Sequence, residues 1–267
     1  MAMCEEKKTK RHQEDLQRLA SFRPFDDTFM RAMFKENIPL AEMVLRIILD
    51  KDDLVLTHCN TQADMKRVTG ARSLCFDAYG TDSEGKKYDI EVQRGDEGAG
   101  ARRARYHASV MDIENLDAGE NFDSLPDTYV IFIMENDIFG RGRAVYKIRR
   151  RFEDEDIEFN DGNYIIFVNG AYRGDDPLGK LMHDFSCTDA DDMNYPLMAS
   201  RARYLKVNPK GVAEMCKQME DLRKQSAMES KKEMAVALHG MGVDIEKIAQ
   251  AAKVSVAQVS AWLTEIE

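Results

Sequence analysis

The sequence lacks any apolar run long enough to cross a membrane, and we expect no secretory leader. Residues 1–18 carry charged side chains throughout. The longest apolar runs fall far short of the roughly 20 residues that a membrane-spanning helix needs. We therefore expect a soluble protein that works in the cytoplasm.

Cysteine is also scarce, and its spacing shows no pairs. The five cysteines are odd in number and show none of the close spacings of a zinc site. This pattern favours free thiols in a reducing cytosol, and it predicts no zinc site. The residues are Cys4, Cys59, Cys75, Cys187 and Cys216.

Positive charge is in short supply as well. Lysine and arginine total 38 against 48 aspartate and glutamate residues, which gives a net charge of −10. A generally basic surface is therefore excluded, and any contact with nucleic acid must be local. The acidity is compatible with a protein partner or a homodimer, and the sequence chooses neither. The 267 residues can hold one large domain with a small appendage.

What the sequence does contain is a β-hairpin in its first half. Ser73–Tyr79 and Lys87–Gln93 are short, partly apolar runs that favour strands, and residues 81–86 between them favour a turn. A three-residue loop that ends at Gly85 suits this turn, because glycine readily adopts the positive φ that such a loop requires.

The length of the turn determines which residues of the two strands face each other. If residues 83–85 form the loop, Asp82 pairs with Lys86, and counting five residues further along each strand places Asp77 opposite Glu91. Side chains alternate across a strand, so Gln93 lies on the same face as these two carboxylates. Asp89 shares this polar face, and the core face is expected to hold Phe76, Ala78, Ile90 and Val92.

The facing carboxylates predict a metal site. Like charges opposed across a strand pair repel each other by an energy on the order of several tenths of a kcal/mol. A sheet normally avoids this repulsion unless a cation lies between the two side chains. Oxygen ligands of this kind suit Mg²⁺, with Mn²⁺ as the alternative ion. The competing interpretation is an ordinary solvent-facing hairpin, on which acidic residues are common and no metal is bound.

The motifs around this hairpin resemble a known superfamily. The order of motifs resembles that of the PD-(D/E)XK nucleases, and in particular that of their transposase-associated, recombination-promoting branch. It consists of an acidic residue on one strand, a turn, Glu-Val-Gln on the next strand and an Arg/Tyr-rich helix. The resemblance covers about the first two-thirds of the chain. It rests on the segments Phe25–Met30, Cys75–Gly80, Tyr88–Gln93 and Ala104–His107.

The resemblance implies a restriction-endonuclease-like α/β fold, a mixed sheet core flanked by helices, with a helical C-terminal appendage. By position Asp77 is the motif's Asp, Glu91 is its Glu, and Gln93 stands where the superfamily most often has Lys. Asp77 and Glu91, with the Val92 carbonyl, would hold Mg²⁺, and Gln93 would position the attacking water. The implied function is metal-dependent endonucleolytic cleavage of DNA associated with transposition or recombination.

Gln93 also leaves a second function open. Glutamine can hydrogen-bond a water, but it cannot stabilise charge as lysine does. The alternative is therefore a catalytically weakened adaptor that binds DNA or protein on the same fold.

A helix is expected from about Ala101 to Leu116. It brings basic and aromatic groups just after the carboxylates, where the phosphate backbone of a nucleic acid would need hydrogen-bond donors. We predict that Arg102, Arg105 and Tyr106 contact the substrate. The competing interpretation is an exposed arginine face that is balanced by neighbouring acids.

We expect the whole chain to divide into three parts. Residues 1–22 are expected to form a charged, solvated arm, and residues 23–210 the nuclease-like domain, with Thr128–Met134 as a strand buried on both faces. Residues 211–267 are expected to be a helical region. Its tail resembles a helix-turn-helix with Ser255 as the cap of the second helix, although a small helical interaction cap fits the same residues.

Overall fold

A computed structural model of the protein describes the backbone of residues 2–65, 74–95 and 100–264. Side chains are described for the same residues, with the exception of 2–9, 62–65, 74 and 75. The chain forms two compact units, Met1–Met215 and Cys216–Glu267. The domains expected from the sequence, 23–210 and 211–267, change over close to this boundary. Ser73, the expected first residue of the hairpin, lies outside the described residues.

The first unit contains a six-stranded mixed sheet with the strand order β1-β2-β3-β4-β6-β5. The first three strands are antiparallel neighbours, β3, β4 and β6 are parallel, and β5 is an antiparallel edge strand. The carboxyl ends of β3, β4 and β6 therefore lie at the same edge of the sheet. The strands are β1 (Leu56–Met65), β2 (Leu74–Asp82), β3 (Lys87–Gln93), β4 (Thr128–Met134), β5 (Val145–Ile148) and β6 (Asn163–Asn169).

Strand β4 is the buried centre of the sheet, as its sequence predicts. All seven of its residues are buried, because it has a parallel neighbour on each side and packed side chains on both faces. Phe132 stacks on Phe167 of β6 with 5.4 Å between ring centroids. The parallel pairing of β3 with this central strand therefore determines the position of β3 in the sheet.

Nine α-helices lie within the described residues. They are α1 (Ala2–Ser21), α2 (Asp27–Phe34), α3 (Ile38–Leu49), α4 (Ala101–Glu114), α5 (Pro177–Ser186), α6 (Pro196–Val207), α7 (Pro209–Gly240), α8 (Ile245–Ala252) and α9 (Val256–Thr264). None of these helices combines the length and the apolar character that crossing a membrane would demand.

Helices cover both faces of the sheet. Helix α4 packs on β4 and β6 through a stripe of small and apolar residues, Ala104, Ala108 and Met111. Beyond the end of α3, the ammonium group of Lys51 lies 5.3 Å from the ring centroid of Tyr129. Val130 packs with α4, and Tyr129 precedes it on β4, so the side chain of Tyr129 points to the opposite face of the sheet. The α/β fold, a mixed sheet flanked by helices, is the one that the sequence predicted.

The N-terminal segment differs from the solvated arm that we expected. Asp15, Leu19 and Phe22 are buried, so the end of α1 and the residue after it are packed. The Lys206 ammonium of α6 donates hydrogen bonds to the carbonyl oxygens of Ala20 and Phe22, at 3.1 and 2.6 Å. The sequence did not predict this packing, because charged residues dominate α1 and only one face of the helix carries the buried residues.

The second unit has its own small core. Ala235 of α7, Ile248 of α8 and Val259 and Trp262 of α9 are buried together. The backbone N–H of Gln258 donates to Ser255 Oγ at 3.2 Å, which confirms Ser255 as the cap of α9. Ser255, Gln258 and Ser260 are exposed, which fits both the helix-turn-helix and the interaction-cap interpretations.

Candidate functional site

The β2–β3 hairpin has the register that the sequence predicts. Gly85 has a φ of +86° and donates its N–H to the Asp82 carbonyl at 3.2 Å, and the Asp82 N–H donates to the Lys86 carbonyl at 3.1 Å. The ladder continues to the pair Ala78–Ile90. The next two residues along the strands are Asp77 and Glu91.

Asp77 and Glu91 each bond to the backbone of the opposite strand. The Asp77 N–H donates to Glu91 Oε1 at 3.0 Å, and the Val92 N–H donates to Asp77 Oδ2 at 3.2 Å. Both side chains are nearly inaccessible, since Asp77 is 5% and Glu91 1% exposed. The predicted pair therefore lies close together, in a site that is far more buried than a solvent-facing hairpin.

The position of Phe76 corrects the expected division of the two faces. We expected Phe76 on the face opposite the carboxylates, but its ring lies 5.5 Å from the ring of His107 on α4 and stacks on Tyr79. Tyr79 pairs with Asp89, which is also on the α4 face. Phe76 and Tyr79 are three residues apart yet share a face, so the regular alternation of β2 is interrupted between them.

Helix α4 closes the site with two side chains that we did not select from the sequence. His107 is fully buried, and its Nδ1 lies 2.8 Å from Asp89 Oδ2. Arg103 donates to His107 Nε2 at 3.3 Å, to Glu91 Oε2 at 3.2 Å and to Gln93 Oε1 at 3.4 Å. Arg103 and His107 are one helical turn apart, and that spacing was the signal available in the sequence.

Helix α2 contributes a third side chain that the sequence did not identify. Arg31 Nη2 lies 3.4 Å from Asp77 Oδ1, and Arg31 Nε forms an ion pair with Asp27 at 3.0 Å. Arg31 and Asp77 are 46 residues apart, so no local pattern could reveal the contact.

The predicted substrate contacts on α4 occupy other faces of the helix. Arg102 and Arg105 are exposed, and Tyr106 is half-buried. Gln93 is half-buried at the end of β3, while Val92 is buried. A cavity of about 870 Å³ adjoins this strand end and is lined in part by Phe22, Asp27, Val92, Gln93 and Arg94.

Burial shifts the protonation of every acid in the site. It raises the pKa of Asp77, against the opposing effect of Arg31, and it raises the pKa of Asp89 well above the usual range, with repulsion from Asp77 adding to the shift. Burial, and then repulsion from Asp89 and Asp77, raises the pKa of Glu91 to about 9. Burial lowers the pKa of His107 to about 4, so its imidazole is neutral at pH 7.

The residues of this site fit a divalent cation. Asp89 Oδ1 is buried, and no hydrogen-bond partner satisfies it within the described part of the chain. One ligand atom each from Asp89, Glu91 and His107 lies within 4.8 Å of the others. Asp77 adjoins this group through its backbone N–H, which donates to Glu91, and its carboxylate is not one of the three ligand atoms. Buried carboxylates that raise one another's pKa lose that repulsion when a cation binds between them.

Comparison with known proteins identifies the family. The family model described as PD-(D/E)XK nuclease family transposase matches residues 36–169. The chain belongs to this family. No curated protein and no solved structure gives a match. The matched residues contain the whole acidic site and α4. They exclude Phe25–Met30, which also carried the resemblance in the sequence.

Membership of the PD-(D/E)XK nuclease family transposases makes the chain a relative of nucleases that act on DNA and generally use divalent metals. Asp89 and Glu91 of β3 and His107 of α4 form a group that could hold such an ion.

Proposed function

We propose that this member of the PD-(D/E)XK nuclease family transposases is a metal-dependent endonuclease that hydrolyses phosphodiester bonds of DNA during transposition or recombination. The observation that carries the proposal is the buried group of three carboxylates, Asp77, Asp89 and Glu91, with one oxygen of Asp89 unsatisfied. Burying such a group in its fully ionised form is costly unless a cation binds to it.

Four residues of the site take part directly in this proposal. Asp77 and Glu91, with the Val92 carbonyl, hold the ion, for which Mg²⁺ is the first choice and Mn²⁺ the alternative. When bound, the ion polarises the phosphodiester and lowers the pKa of a water. Gln93 hydrogen-bonds at the reacting centre from the end of β3.

The substrate reaches this centre along the surface near the end of β3. The cavity of about 870 Å³ beside Gln93 gives access to the strand end. Arg102, Arg105 and Tyr106 on α4 supply donors to the phosphate backbone, because exposed arginines bind phosphate oxygens without reading sequence.

The test is a plasmid cleavage assay with Mg²⁺, with Mn²⁺ and with EDTA. We expect nicking or cutting only with a divalent ion, and its loss in Asp77→Ala and in Glu91→Ala, each with an unchanged circular dichroism spectrum. Asp191→Asn, an exposed acid outside the site, is the matched control and should cleave as the wild type does. Full activity in either alanine variant would remove the assignment.

One observation favours a second function, that of a non-catalytic adaptor. Both proposed ligands already have a cationic partner in the protein, Asp77 in Arg31 and Glu91 in Arg103. Calorimetric titration with Mn²⁺ separates the two functions. A nuclease binds Mn²⁺ in a manner that depends on Glu91, whereas an adaptor shows no such binding and keeps its DNA affinity in EDTA.

A further inference from the structure

A chain of hydrogen-bonded side chains runs through the site from the buried sheet to the end of β3. Asp89 Oδ2 contacts His107 Nδ1 at 2.8 Å, and His107 Nε2 contacts Arg103 Nε at 3.3 Å. The two terminal nitrogens of Arg103 then donate to Glu91 Oε2 and to Gln93 Oε1. Five side chains from one strand and one helix thus form a single connected network.

The network fixes the state of each member. A guanidinium only donates, so His107 Nε2 must accept from Arg103, and the ring proton must lie on Nδ1, facing Asp89. Arg103 is held from three directions: by His107, by Glu91 and Gln93 of β3, and by the ring of Phe132. The centroid of that ring lies 5.8 Å from the central carbon of the Arg103 guanidinium. Its planar group therefore has one orientation.

The same network determines which way the Gln93 amide points. Because Arg103 donates to Gln93 Oε1, the carbonyl oxygen of the amide faces the guanidinium, and the NH₂ group points away from it. An amide in this orientation presents donors and not its acceptor. The adjacent positive charge also polarises the amide, which makes its N–H groups stronger donors.

We propose that Arg103 and Gln93 act together as the cationic element of the site, in which Arg103 orients and polarises the Gln93 amide so that its NH₂ donates to the phosphate undergoing cleavage. Arg103 is a positioning residue, and His107 and Asp89 hold it in place. This inference rests on the proposed nuclease function, and it assigns to Gln93 the stabilisation of phosphate charge instead of the positioning of water.

The test uses a lysine placed on β3 as an independent source of charge. Arg103→Met keeps the length of the side chain and removes the charge and the donors. We expect it to lower kcat by about 100-fold, which is typical for the loss of one preorganised donor. The double variant Gln93→Lys/Arg103→Met should recover at least about tenfold, because the lysine brings its charge to the same strand end. Arg203→Met, an exposed arginine of α6, is the matched control and should behave as the wild type.

A binding measurement separates this inference from the proposed nuclease activity. Fluorescence anisotropy of a labelled DNA duplex in Ca²⁺ reports phosphate binding without requiring turnover. We expect Arg103→Met to weaken binding about tenfold, because the Gln93 amide loses the charge that orients and polarises it, and Gln93→Lys/Arg103→Met to restore binding. The arrangement predicts that Arg103→Lys gives an intermediate affinity, because lysine keeps the charge and loses the planar fork.

Two outcomes would overturn the inference. One is equal cleavage and equal duplex affinity in wild type and Arg103→Met. The other is a folded Arg103→Met protein that no longer binds Mn²⁺ in calorimetry, since Arg103 would then maintain the acidic site and not the Gln93 amide. A wild type that never cleaves DNA contradicts the proposed nuclease function alone, and the anisotropy series still decides the role of Arg103.

Discussion

The backbone N–H of Asp77 donates a hydrogen bond to the side chain of Glu91 across the β2–β3 pair, at 3.0 Å. The two acids are therefore joined directly, and each one is placed by the strand that carries the other. A register shift of one residue between β2 and β3 would separate them, because it moves every side chain of a strand to the opposite face.

The metal-free protein should lose stability as the pH rises from about 5 to about 9. Folding raises the pKa of Glu91 from an ordinary 4.5 to about 9, so between these values the folded state binds more protons than the unfolded state. One such proton gives a slope of at most about 1.4 kcal/mol per pH unit. Urea unfolding in EDTA over this pH range measures it.

The control for the pH series is Glu91→Gln, which cannot titrate at this position. His107 has the opposite sign, because its pKa falls from 6.5 to about 4 on folding and stability then rises with pH between these values. In Glu91→Gln the fall in stability above pH 6.5 should shrink. Below pH 6.5 the raised pKa values of Asp77 and Asp89 remain and oppose the contribution of His107. A wild-type stability that is flat up to pH 9 would contradict the raised pKa of Glu91.

Metal binding should release protons, and its affinity should increase with pH. A carboxyl group with a pKa of about 9 is protonated at pH 7, and a cation must displace that proton in order to bind. Mn²⁺ titrations in buffers of different ionisation enthalpy should therefore give different apparent heats. Buffer-independent heats in the wild type would contradict the prediction, and Glu91→Gln provides the comparison without that proton.

Replacing Gly85 by alanine should destabilise the hairpin by about 1 to 2 kcal/mol. The φ of Gly85 is +86°, and a side chain there is strained even though nothing lies within 4 Å of the added methyl group. Gly100→Ala is the matched control, because its surroundings are equally open and its φ is −74°. Chemical denaturation compares the two variants, and an equal cost for both would show that the turn conformation does not matter.

Trp262 is the only tryptophan in the sequence, and its fluorescence reports on the second unit. Val259→Ala should lower the free energy of unfolding of that unit by about 2 kcal/mol, because Val259 is fully buried beside Trp262. Val256→Ala, at an exposed position of the same helix, should change it by less than about 0.5 kcal/mol. Denaturation followed by Trp262 fluorescence measures both, and equal midpoints would refute the placement of Val259.

The hairpin and the central strand could be predicted because local rules determine them. Gly85 and the five-residue count fix the register of β2 and β3, and the continuous apolar run of Thr128–Met134 fixes a buried strand. Neither prediction required knowledge of a distant residue. The family resemblance added the fold, which the match to residues 36–169 confirms.

The cationic partners of the acids could not be predicted in the same way. Choosing Arg103 over Arg102 requires knowing which face of α4 meets the sheet, and successive residues of a helix differ in direction by about 100°. The stripe of Ala104, Ala108 and Met111 holds that information, since it places His107 inward and Arg103 beside it. Arg31 comes from a helix 46 residues away, and only the packing of the fold brings it to Asp77.

The shared direction of β3, β4 and β6 has a consequence for how this protein could acquire new targets. The three segments that leave these strands all emerge at the sheet edge where Gln93 lies. Insertions in them would reshape the rim around the acidic site while the hydrogen-bonded ladders behind it stay intact. Relatives that cleave different sites are therefore expected to differ in the lengths of these segments more than in the sheet.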